Sequence, residues 1–126
     1  MCNHAIIIGK PFQDVLDGAR RAIIDVGFLI IHEIDTTAIM RKAGFEITET
    51  RQLLFFHPSY MKTIFENDPQ LVILAPLKIV VQQSVNGETL VTYTSPLKLF
   101  QGYARLQKLQ AALENEVNTI IERLKD

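Results

Sequence analysis

The chain has 126 residues, 48% hydrophobic and 21% charged, with a formal net charge of −1. This is the size and composition of one globular domain, which buries roughly two-thirds of its unfolded surface and needs no staple to fold. Charge of mixed sign near zero excludes the footprint of a nucleic-acid binder. A lone cysteine, Cys2, excludes an intrachain disulfide and a multi-cysteine metal site. No apolar run approaches the roughly 20 residues that span a bilayer. The opening MCNHAIIIGKPF lacks the basic region and long apolar stretch of a signal peptide, so the expected location is cytoplasmic.

In chain order, the apolar run at residues 5–8 ends at Gly9 and predicts a first strand. Pro11 suits the first turn of a helix, where a missing N–H costs nothing. Phe12, Leu16, Ala19, Ile23 and Val26 then recur at three and four residues, and Gly27 supplies the stop. Asp14, Asp17 and Asp25 fall on the solvated side of this helix, which gives no paired-carboxylate site. Residues 28–34 (FLIIHEI) have strand composition and are expected to be covered on both faces over part of their length. Asp35 or Thr36 caps a short helix over residues 37–42. TRQLLFF at residues 50–56 is a third strand. Pro58 opens a further helix whose apolar side is Met61, Ile64 and Phe65. Residues 69–76, bracketed by prolines, predict an extended connection or a short strand.

A hairpin follows, turning at Asn86-Gly87, the dipeptide that most readily takes positive φ. A two-residue loop pairs Val81 with Thr92 and Gln83 with Leu90, which mixes apolar and polar residues on both faces. A three-residue loop with a glycine bulge pairs Val85 with Thr89, Gln83 with Val91 and Val81 with Tyr93. That register places Ile79, Val81, Val85, Val91 and Tyr93 on one face, and burial favours it. Beyond Pro96, Leu106, Leu109, Leu113, Val117, Ile120, Ile121 and Leu124 mark a helix of about six turns, or about 30 Å. Strands of five or six residues span only about 20 Å. The last turns, at Ile120, Ile121 and Leu124, are therefore expected to meet a second subunit or a partner, a two-fold dimer being the commonest arrangement.

These elements give the order β-α-β-α-β-α-β-β-α. The fold class is α+β: a mixed sheet with helices packed on it and a long C-terminal helix, in a single domain over residues 1–126. At residues 53–96 a strand enters a proline-started helix, followed by PQLVILAPLKIVV, a glycine turn and LVTYTSP. This segment resembles the domain-of-unknown-function 302 family, and the helix at residues 11–27 followed by FLIIHEIDTTAIMRKAG extends the resemblance over residues 8–103. The resemblance implies an α+β fold, often seen as a homodimer, with no established biochemical activity. Many members carry Asn before the helix-opening proline, where this chain has His57. Many also carry a Cys-Asn pair in the two loops that here hold Phe56-His57 and Leu77-Lys78, so a thiol-based role has no residue at these positions.

No catalytic motif stands out. Gly9-Lys10-Pro11 lacks the glycine spacing of a phosphate loop. His57 precedes the first turn of a helix, where free N–H groups favour an anion; its imidazole suits a metal, an anion or a proton. The plainer role is a helix cap. Ser59 lies beside it, but no orienting acid is identifiable for a nucleophile. His32 and Glu33, neighbours on a strand, point to opposite faces. Cys2 and His4 both reach a metal only if the terminus is ordered. Lys78 offers a positive charge to a pocket near the helix that starts at Pro58, and Tyr93 a hydroxyl or an aromatic wall; alone, each is more simply a solvated lysine and a core tyrosine. The expected function is a small cytoplasmic ligand-binding or interaction module, homodimeric, with His57, Ser59, Lys78 and Tyr93 at the ligand. That ligand is a small anion or a metal-containing group. The alternative is a metal- or haem-binding protein, or a small enzyme, using His57.

Overall fold

A computed structural model describes residues 3–126. Strand β1 (Asn3–Ile8) leads into α1 (Phe12–Val26), β2 (Leu29–Asp35), α2 (Thr36–Lys42), β3 (Thr50–Phe56) and α3 (Pro58–Asn67). A 3₁₀ turn (Pro69–Leu74) then precedes β4 (Leu77–Gln83), β5 (Thr89–Thr94), the short α4 (Pro96–Leu99) and α5 (Gln107–Lys125). The α+β class and the element order are those expected. The prolines at 69 and 76 bracket a 3₁₀ turn, not an extended segment. Pro69 starts the turn, and the side chain of Asp68 caps it by accepting from the Gln70 N–H at 3.0 Å.

The five strands form one sheet in the order β1-β5-β4-β3-β2. Every pairing is antiparallel, where a mixed sheet was expected. The reason lies in the connections. Of the strands consecutive in the chain, only β1 and β2 run in the same direction, and α1 carries the chain between them from one edge of the sheet to the other. β2 is thus an edge strand, and this corrects its expected double coverage: Leu29 is 53% and Ile31 56% exposed. A register shift between Ile30 and His32 also takes Ile31 out of the ladder.

The hairpin joins two features that looked exclusive in sequence. Asn86 (φ 57°) and Gly87 (φ 74°) form a tight turn closed by the Glu88 N–H on the Val85 carbonyl at 3.1 Å. The Ser84 N–H also reaches the Glu88 carbonyl, at 2.9 Å, so Ser84 and Val85 both face Glu88. This extra residue pairs Val81 with Val91 and Ile79 with Tyr93. The register lies two residues from the expected one, and Val85 points into solvent rather than into the core. A slip of two preserves the faces, so burial alone could not choose between these registers.

One face of the sheet is core. Leu53, Phe55, Ile79, Val81 and Val91 are buried there with Leu16, Ala19 and Ile23 of α1 and with the apolar stripe of α5. Ile120, Ile121 and Leu124 belong to this core, which overturns the expectation that they await a second subunit. The long helix outreaches the strands, but α1 lies beside it and covers its last turns. A Cβ placed on Gly18 of α1 sits 3.6 Å from Leu124 Cδ2. On the other face Val80, Gln82, Leu90 and Thr92 are only half-buried and Lys78 is exposed.

At the β2 edge, Arg20 of α1 donates to Glu33 through Nη2 at 2.6 Å and Nε at 2.8 Å, and to Asp17 at 2.8 Å. As expected, His32 faces away from this pair: His32 stands opposite Leu54 and Glu33 opposite Leu53. The Arg20 hydrogen bonds hold the Glu33 carboxyl below its usual 4.5, against the opposing effect of burial. A carboxylate lowered in the folded state stabilises fully above its unfolded value, and that stabilisation is lost as pH falls through the folded one. Glu33→Gln is expected to cost about 1 kcal/mol at pH 7, discounted for the exposure of Arg20, and to flatten the loss of stability below pH 4.5. Urea unfolding at pH 7 and pH 3 checks this; an equal deficit at both values contradicts it.

Candidate functional site

His57 sits where β3 gives way to α3. Its backbone is extended (φ −112°, ψ 129°), Pro58 takes the first helical position, and the imidazole caps the helix. Nδ1 accepts the Ser59 N–H at 3.1 Å and lies 2.8 Å from Ser59 Oγ. The ring packs 5.1 Å from Tyr60 and 6.4 Å from Phe28, measured between centroids. Beside it is an apolar pocket of about 130 Å³ lined by Ile31, Phe56, His57, Pro58 and Met61. An Nδ1 that accepts from a backbone N–H leaves the neutral ring's proton on Nε2. A metal-ligating histidine has the reverse polarity, with a lone pair on one nitrogen and a donated N–H on the other. Ligation of a metal or haem iron through Nε2 therefore requires the cap to break. His57 and Ser59 come together as the plainer role foresaw, as a helix cap.

Lys78 does not join them. It lies on the open face of β4, in a groove of about 400 Å³. Val80 and Thr92, a cross-strand pair, lie in this groove with Thr94, and the 3₁₀ turn contributes Ile73 and Leu74. Tyr93 borders the groove, but its register partner is Ile79 on the core side. Its phenol is pushed up chiefly by burial, with Lys125, Glu114 and Glu122 of α5 as the charges that act on it. The four residues expected at one ligand thus occupy two places, His57 and Ser59 at the cap and Lys78 and Tyr93 at the groove. The expected His57 pocket exists, but Lys78 does not line it.

Other candidates disperse as well. Cys2 lies outside the described residues. His4, on β1, packs 5.5 Å from the Tyr93 ring. Among the described residues no three His, Cys, Asp or Glu side chains gather where they could hold a metal. Two features went unseen in the sequence. One is Tyr60, whose hydroxyl donates to Glu116 of α5 at 2.8 Å; burial and that carboxylate push the phenol up to about 12. The other is the groove wall at Ile73, whose only signal was a run of five apolar residues between two prolines.

The family model described as "Domain of unknown function DUF302" matches residues 4–124, nearly the whole chain. The chain belongs to the DUF302 family. The crystal structure of an uncharacterized conserved DUF302 protein from Bacillus stearothermophilus superposes with a TM-score of 0.86, covering 98% of each chain at 17% sequence identity. At that identity the likeness establishes the DUF302 fold and nothing about activity. No curated protein matches the chain. No helix among the described residues of this DUF302 chain is long and apolar enough to cross a membrane.

Proposed function

We propose that this DUF302 protein is a small cytoplasmic binding module whose ligand lies in the groove at Lys78. One observation carries the proposal. Ile73 is 86% exposed at the rim of a cavity of about 400 Å³ that also holds Leu74, Val80 and Pro76. That volume falls in the range of small-molecule sites, which pair an apolar wall with a few polar groups. An apolar rim left in water is stabilised when a ligand covers it. The test uses N-phenyl-1-naphthylamine, a neutral probe that fluoresces in apolar surroundings. Wild-type protein is expected to bind it, and Thr92→Trp, which fills the groove from a half-buried position on the open face of the sheet, to weaken binding at least tenfold with unchanged melting temperature. Equal binding by Thr92→Trp sinks the proposal.

The module is further proposed to be a homodimer. Strand β1 is an unprotected edge: its six residues, NHAIII, include no lysine, acidic residue or proline. Such an edge invites another strand, whereas the β2 edge carries a bulge and the charges of Glu33 and Asp35. A second copy pairing antiparallel along β1 satisfies the free backbone groups with no like charges opposed. Sedimentation velocity tests this, and a monomer throughout the micromolar range contradicts it.

A further inference from the structure

Resting on the groove reading above, we infer that the ligand is an organic carboxylate with an apolar body, its charge held by Lys78. Among the described residues Lys78 is the single charged side chain that lines the groove, and Lys78 and Val80, two residues apart on β4, project on the same side of the sheet. No ion-pair partner of Lys78 is found among the described residues. The groove is therefore divided. Ile73, Leu74, Pro76 and Val80 offer apolar contact, while Thr92, Thr94 and Lys78 offer hydroxyls and one positive charge.

Each part disfavours a ligand class. A cationic ligand meets no carboxylate in the groove and one like charge. A phosphate dianion needs more than one cation, or a nest of backbone N–H groups at a helix start, to offset its desolvation. A neutral apolar ligand leaves the ammonium beside hydrocarbon with its hydration reduced, which is costly. A single negative charge at one end of an apolar body satisfies both halves at once. The aliphatic stem of Lys78 lies along the apolar wall while its ammonium reaches the head group.

The test pairs two probes that differ by one anionic group: 8-anilinonaphthalene-1-sulfonate and the neutral N-phenyl-1-naphthylamine. Wild-type protein is expected to bind the sulfonate about fivefold more tightly, the scale of one partly exposed ion pair. Lys78→Met is expected to abolish that preference and leave the neutral probe within twofold. Sodium chloride at 0.5 M, which screens exposed charges, should erode the preference in the wild type in the same way. Octanoate should displace the sulfonate at lower concentration than 1-octanol, which ties the preference to a carboxylate. If both probes bind equally to wild type, or if octanol competes as well as octanoate, the carboxylate inference is overturned while the groove stands. If neither probe binds, the groove reading itself fails and takes this inference with it.

Discussion

Replacing Ile120 and Leu124 together by glutamate is expected to unfold the protein. Both side chains are buried, at 0% and 3% exposure, in the core that α5 shares with α1. A glutamate at either place brings an unpaired carboxylate into hydrocarbon, and each such burial costs several kcal/mol. Domains of this size are stable by only about 5–15 kcal/mol, so the pair exhausts the margin. Circular dichroism should show no cooperative melting transition. Ile120→Val, which removes one methylene, should still melt cooperatively with a loss of about 1 kcal/mol. From sequence alone the same double substitution reads as a way to split a dimer, because the helix is longer than the strands. A soluble, native-like double variant would mean that the last turns of α5 do not pack on α1.

Phe28→Ala should cost about 4 kcal/mol, the range for emptying a buried aromatic site. Phe28 follows the left-handed Gly27 (φ 111°) and is buried in the core. There it meets Phe55 edge-on at 5.2 Å and lies 6.4 Å from both Tyr60 and His57. The ring therefore joins the start of β2, the end of β3 and the first turn of α3. Phe28→Leu, which keeps most of the volume, should cost about 1.5 kcal/mol. Urea unfolding with an unchanged slope reads these values directly. A loss below 1 kcal/mol for the alanine variant would mean that the aromatic cluster is not a fixed part of the folded state.

The sequence by itself determined what is local. Residue spacing marked α1 and α5, Gly27 the stop of α1, Asp35 or Thr36 the cap of α2, a cap as the plainer role of His57, and Asn86-Gly87 the turn, because each depends on backbone geometry within a few residues. The alternation at Ile79 and Val81, and at Val91 and Tyr93, gave the right faces. The tertiary structure alone decided what depends on neighbours distant in the chain. FLIIHEI is equally apolar as a central or an edge strand, and only the crossing of α1 over the whole sheet makes it an edge. The stripe at Ile120 and Leu124 has the same spacing whether a second subunit or α1 covers it. Lys78 and His57 flank adjacent strand ends, yet the sheet turns Lys78 to its open face while His57 caps α3 among aromatic rings. Side-chain periodicity states which residues must be covered; which segment covers them is fixed by topology, and periodicity carries no record of it.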